Sequence, residues 1–155
     1  NLENRNNFRV SIAGGGSCVD KAKEIARSKG LGDVVHFNGW VHGLKLEELL
    51  SNSDILVLPS WAEGFPNAVI EAMAAGLAVI VTSVGNIPDI LTHNSEALLV
   101  PPKDVDSLRS AIARLVHDEI LIRSLALKGH EFAKENFAIE EAVSKLEKLI
   151  YAVAH

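Results

Sequence analysis

The chain has 155 residues, 48% hydrophobic and 23% charged, which suits one soluble domain with a sizeable core and excludes a disordered or fibrous polypeptide. Its formal net charge of -5 argues against nucleic acid, which calls for a basic face. A lone cysteine, Cys18, excludes an internal disulfide, and no apolar run approaches the ~20 residues that cross a bilayer, so a cytoplasmic protein is expected.

From the N-terminus, Phe8, Val10 and Ile12 read as a buried strand that follows a polar stretch without an initiator Met. Gly14, Gly15 and Gly16 form a turn, and Ser17 with Asp20 three residues later predicts a capping box opening a helix that ends at Gly30. Val19 occupies the third glycine position of a dinucleotide fingerprint, so the turn reads equally as a tight connection or as a ligand contact. Val34 to Phe37 predicts a second strand ending at Asn38, Gly39, Trp40 and Val41, with Trp40 either beside a ligand or in the core. A short helix over Leu46 to Leu50 leads to an apolar strand, Asp54 to Leu58.

Pro66 is expected at the first helical position, where its missing N–H costs nothing. The helix carries Glu71, about 7 to 8 Å along the axis from Pro66, and Glu63 lies in the loop before it. Gly76 stops this helix, Leu77 to Val81 predicts a buried strand, and the loop from Thr82 to Pro88 opens another helix. Ala97 to Val100 reads as a strand, and Asp104 caps a helix with Leu108, Ile112 and Leu115 at helical spacing. Two helices complete the reading, Asp118 to about Asn136 and Ile139 to Val153. Strands alternating with helices predict a Rossmann-like α/β domain, a parallel sheet with helices on both faces. Ligands of such sheets sit beyond the carboxyl ends of the strands, where Gly14, Gly39, Glu63 and Thr82 all fall.

Two carboxylates beside a helix N-terminus suit a ligand with hydroxyls at both ends and a diphosphate between them, such as a nucleotide sugar. Sugar hydroxyls would donate to Glu63, ribose hydroxyls to Glu71, and the diphosphate would lie on the amides of Gly64, Phe65 and the following turn. The same acids equally complement the helix dipole or face solvent. The six histidines show no metal-ligand spacing, and no Ser, His, Asp order points to a hydrolase.

The string EGFPNAVIEAMAAGLAVIVTSVGNIPDI, with two glutamates separated by seven residues, closely resembles the donor-binding segment of the retaining group 1 (family 4) glycosyltransferases of the GT-B fold. The likeness runs from about Phe8 to the C-terminus through Gly14 to Gly16, VVHFNGWV, SDILVLPS and ALLVPPKDVDSL. Ala78, Asn86, Asp89 and Ala97 depart from the commoner Pro, Gly, Glu and Gly. The resemblance implies the C-terminal, donor-binding half of a GT-B enzyme that transfers a sugar from a nucleoside diphosphate sugar. It places Glu63 by the transferred sugar as the catalytic residue, Glu71 on the ribose, and Gly39 and Trp40 at the base. The donor contacts expected are Gly14, Gly15, Gly39, Trp40, Glu63, Gly64, Phe65, Pro66, Asn67, Glu71 and Thr82, with no metal and no cofactor.

It further implies that residues 1–155 form one nucleotide-sugar-binding domain lacking an N-terminal acceptor domain and its own first strand and helix. Peripheral membrane contact through the full-length protein is compatible with it. A nucleotide-sugar epimerase half-domain and a non-catalytic signalling module are the alternatives. Between Lys45 and Lys103 there is no Lys or Arg, whereas Glu47, Glu48, Asp54, Glu63, Glu71, Asp89 and Glu96 supply seven acids. A leaving diphosphate needs cations, so the chain alone is expected to bind nucleotide sugar weakly and to be inactive.

Overall fold

The apolar run from Leu77 to Thr82 becomes the buried centre of a parallel sheet in the computed structural model, which describes residues 8–138. The elements are β1 (Val10–Ala13), α1 (Val19–Ser28), β2 (Val35–Gly39), α2 (Leu44–Ser51), β3 (Ile55–Leu58), α3 (Asn67–Ala74), β4 (Ala78–Thr82), α4 (Ile87–Ile90), β5 (Leu98–Val100), α5 (Val105–Val116) and α6 (Glu119–Phe137). The alternation is the Rossmann-like α/β pattern expected, and every pairing is parallel. The helix expected over Ile139 to Val153 lies outside the described residues.

The chain divides into two compact units, Asn1–Ser51 and Asn52–His155. In the first, β1 and β2 form a two-stranded parallel sheet with Val10 opposite Val35 and Ile12 opposite Phe37. The expectation of a buried first strand is corrected here. Phe8 and Val10 are exposed and Ile12 is half-buried, because among the described residues of this unit only Ala26 and Val34 are buried and a two-stranded sheet has little to pack against. The Ser17 capping box does not form either. Cys18 takes the N-cap position in a helical conformation without a side-chain hydrogen bond, so Ser17 lies one residue too early to reach the α1 amides.

In the second unit the strand order is β3-β4-β5, with Leu56 opposite Val79 and Val81 opposite Leu99. Successive side chains of a strand point to opposite faces. Ala78 and Ile80 join Leu98, Val100, Leu115 and Leu125 in a core that α5 and α6 complete, and the intervening Val79 and Val81 are equally buried. Both faces of β4 are therefore covered, as an all-parallel sheet requires. Buried Val69, Ala72 and Met73 seat α3, and Gly76 ends it in the left-handed conformation, with the Leu77 amide donating to Ala72 and the Gly76 amide to Met73.

The acidic cap expected at Asp104 forms, and Asp118 supplies a second. Asp104 accepts from the Ser107 amide and Asp118 from the Leu121 amide, fixing the starts of α5 and α6. Pro66 differs from its expected place. It is the N-cap of α3, not the first helical residue, with extended backbone and its carbonyl accepting from the Val69 amide. No helix among the described residues is long and apolar enough to cross a membrane.

Candidate functional site at the carboxyl ends of the strands

The loop after β3 carries Glu63, and three short contacts hold it. The Thr82 hydroxyl donates to the Ser60 carbonyl at 2.6 Å, and the Ser60 hydroxyl donates to the Glu63 carboxylate at 2.7 Å. The Asn86 amide then donates to the Gly64 carbonyl at 3.1 Å, tying the loop after β4 to the loop after β3. The carboxylate is thus oriented through a hydroxyl that is itself seated on the end of the central strand. Glu63 remains half-buried, with one face open to a ligand.

Glu71 occupies the exposed side of α3, on the helix whose other side buries Val69, Ala72 and Met73. Its carboxylate has no hydrogen-bond partner among the described residues, whereas Ser60 engages that of Glu63. Between the two acids the chain turns through Gly64, Phe65, Pro66, Asn67 and Ala68. Among the described residues the amides of Gly64, Phe65, Asn67 and Ala68 have no acceptor. Unpaired amides at a helix start form an anion-binding surface. With Pro66 as the N-cap the helix starts at Asn67, whose amide is its first free donor, as it would be with Pro66 at the first helical position.

Phe65 and Thr82 are both tied down by contacts within the unit. The Phe65 ring stacks on Phe137 of α6, centroids 5.4 Å apart, so its side chain pins the loop while its amide stays without an acceptor among the described residues. Thr82 is only 2% exposed and its hydroxyl is already committed to Ser60. It positions the loop through its hydroxyl proton, which is no longer available to a ligand.

In the first unit, Gly14 follows β1 and Gly39 closes β2, with the Gly14 amide donating to the Gly39 carbonyl at 2.7 Å. Trp40 is 78% exposed and not in the core. Its indole lies across Gly15, where a Cβ would stand 2.6 Å from the indole nitrogen. The glycine turn thereby presents a flat aromatic surface at the carboxyl edge of its own sheet.

Sequence reasoning missed two residues of the second unit. Ser60 was read only as the end of a strand motif, although a hydroxyl three residues before a key acid is a recognisable signal for a local side-chain bond. Gly85 went unremarked as well. It has a positive φ of 56°, and a Cβ there would overlap the Glu63 carbonyl oxygen. The Gly-Asn pair before Pro88 carried that signal.

A three-stranded parallel sheet with two acids and free amides at its carboxyl edge defines a Rossmann-like ligand-binding domain of the kind found in GT-B proteins. The chain superimposes on sucrose-phosphate synthase from Thermosynechococcus elongatus with a TM-score of 0.77 and 28% identity, covering 95% of this chain and 39% of that one. It shares its fold with Anabaena HepE solved with UDP, at a TM-score of 0.80 and 19% identity over 94% of this chain and 41% of that one. The exopolysaccharide phosphotransferase of Streptomyces coelicolor is 35% identical over 144 residues, 92% of this chain but 15% of its own length. The profile described as Glycosyl transferases group 1 matches residues 1–136, and the chain belongs to that family. Neither the epimerase nor the signalling alternative anticipates that membership.

Proposed function

We propose that the chain is the donor-binding domain of a retaining group 1 (family 4) glycosyltransferase that takes its sugar from a nucleoside diphosphate sugar. The observation that carries this reading is the arrangement of Glu63 and Glu71 on either side of four unpaired amides. Free amides suit a diphosphate. The open Glu71 carboxylate suits the paired hydroxyls of a ribose, and the Ser60-oriented Glu63 carboxylate suits the hydroxyls of the transferred sugar. HepE, a fold relative, has been solved with UDP, which makes UDP and its sugars the first ligands to try.

In this reading Glu63 is the catalytic residue, held so that its charge faces the reacting sugar without reorganisation when positive charge develops there. Ser60 and Thr82 position it. In the first unit, Gly39 and Trp40 are assigned to the nucleotide base, with the Trp40 indole as a stacking surface, and Gly14 and Gly15 are assigned as further donor contacts. No metal is part of this proposal. The chain spans 39% and 41% of the two solved chains compared above, and we assign the acceptor mainly to an N-terminal domain of the whole protein. The cations needed by the leaving diphosphate are assigned to residues upstream of the glycine turn, so the isolated chain is expected to bind and not to transfer.

Calorimetric titration of the chain with UDP, UDP-glucose and GDP-mannose tests the reading. Binding of a nucleotide sugar that is lost in Glu71→Ala supports it. Equal, Glu71-independent heats for all three ligands would overturn it.

A further inference from the structure

Lys103 follows β5 by three residues and has a φ of 62°, a left-handed backbone that favours glycine and that a lysine adopts only at a cost. Its ammonium stands 5.0 Å from the ring centroid of Trp61, which lies in the loop after β3 two residues before Glu63. Adjacent strands are about 4.8 Å apart, so these two side chains reach across the end of β4 to meet. Trp61 is 73% exposed even with the lysine against it. A large aromatic and a cation are therefore held together, open to solvent, on the rim that carries Glu63.

The charges around the pair sharpen its meaning. From residue 46 to residue 102 the chain has no Lys or Arg and seven acids, so Lys103 is the first cation after that run. The three arginines of this unit are engaged, Arg109 with Asp106, Arg123 with Glu119 and Arg114 with Asn94, and among the described residues its other lysines, Lys128 and Lys134, lie on α6. Among the described residues Lys103 has no carboxylate partner, and its one recorded contact is the indole. A cation on an aromatic face keeps its hydrogen-bond donors free for an incoming anion.

We propose that Trp61 and Lys103 form a subsite for an anionic sugar, the indole edge and face taking the ring and the ammonium taking its carboxylate or phosphate. This deepens the glycosyltransferase reading and rests on it for the identity of that sugar, which is the acceptor and not the donor. The donor diphosphate has the amides between Glu63 and Glu71, whereas the lysine stands at the end of β5, a strand removed from the β3 loop. The subsite would select acidic acceptors over neutral ones, and the selection would weaken with salt because the cation is exposed.

The test follows the indole N–H signals of the two tryptophans in the 15N-labelled chain, the Trp61 signal being assigned by its absence in Trp61→Phe. Glucuronate, glucose 6-phosphate, glucose, inorganic phosphate and UDP are titrated separately at low salt. The expected result is a shift of the Trp61 signal with the two anionic sugars, at least about tenfold weaker with glucose or phosphate alone and unaffected by saturating UDP. Lys103→Gly relieves the backbone and so preserves the fold, and it should abolish the preference, while Lys103→Arg should retain it. Equal response to glucose and glucuronate, or an unchanged preference in Lys103→Gly, would overturn the subsite. Displacement of the anionic sugars by UDP would overturn its assignment to the acceptor. Failure of UDP or any nucleotide sugar to bind the chain would instead refute the donor reading and leave the Trp61 response as a separate result.

Discussion

Gly85 and Glu63 are in direct backbone contact: there is no room for a Cβ on Gly85, because the Glu63 carbonyl oxygen occupies the place where it would stand. The next residue, Asn86, donates its amide to Gly64. The loop after β4 therefore presses on the loop that carries the key carboxylate, and the two can move only together. Replacing Gly85 by alanine adds this overlap to the cost of a positive φ, and backbone atoms cannot step aside as a flexible side chain would. Gly85→Ala should destabilise the chain by more than ~1 kcal/mol and weaken nucleotide-sugar binding more than nucleotide binding. Thermal melts paired with calorimetry check both, and an unchanged melt would refute the contact.

The two acids should divide the ligand between them. Hydrogen bonds to a charged acceptor are worth about 1.5 to 3 kcal/mol, so Glu71→Ala should weaken UDP and UDP-sugar by similar amounts. Glu63→Ala should spare UDP and penalise the sugar-bearing donor. Titration of both ligands against both variants decides the matter, and equal losses everywhere would sink the division.

Ser60 should behave as a positioning residue. Ser60→Ala removes the donor to Glu63 while leaving the backbone carbonyl that Thr82 needs. Donor-sugar affinity should fall by up to about 1.5 to 3 kcal/mol, the worth of a hydrogen bond to a charged acceptor, with nucleotide affinity intact. A Ser60→Thr variant, which keeps the hydroxyl, should recover most of the loss in the same titration.

Gly129 lies inside α6, where alanine would ordinarily gain up to about 1 kcal/mol in helix propensity. Here an added Cβ would stand 3.3 Å from both the Glu96 carbonyl oxygen and the Met73 side chain. Methionine yields, but a backbone carbonyl does not. Crowding of a packed core costs about 1 to 3 kcal/mol, so Gly129→Ala should be net destabilising in a denaturant melt despite its better propensity.

Asp104 should make α5 sensitive to acid. Hydrogen bonds from the Ser107 hydroxyl and amide hold its carboxyl below the ordinary value of 3.8. A depressed folded pKa means stability that is present above 3.8 and lost as pH falls through the folded value. Asp104→Ala should therefore lower the melting temperature at neutral pH and converge on the parent at pH 2 to 3. A constant difference across that range would exclude the cap.

Much of the fold was legible in the chain. Apolar runs ending at Leu58, Val81 and Val100 mark the three strands of the second sheet, β4 buried along its whole length and β3 only in part, and Gly76 and Asp104 punctuate the helices as their chemistry predicts. The errors came where a side chain's fate depends on what lies across from it. Phe8 and Val10 look like core residues but lie just before and at the start of a strand in a two-stranded sheet with little to cover them. Trp40 found Gly15 and solvent, which no local pattern announces. Thr82 looked like a ligand contact because it ends a strand at the right edge, yet its hydroxyl was taken by Ser60, a neighbour 22 residues away. The glutamate pair stood out through the family resemblance, but what orients Glu63 did not, since that arises from a register between β3 and β4.

Burial of β4 along all five residues has a kinetic corollary. Amides in such a strand exchange with solvent only when the sheet itself opens, at a free energy near that of global unfolding. Thr82 is the last of those residues, and Glu63 hangs from it through Ser60. Deuterium should therefore enter the Val79 to Thr82 amides last. The carboxylate would then sample its ligand-ready orientation for nearly the whole lifetime of the folded molecule, and binding would begin from a prepared surface without waiting for a loop to settle.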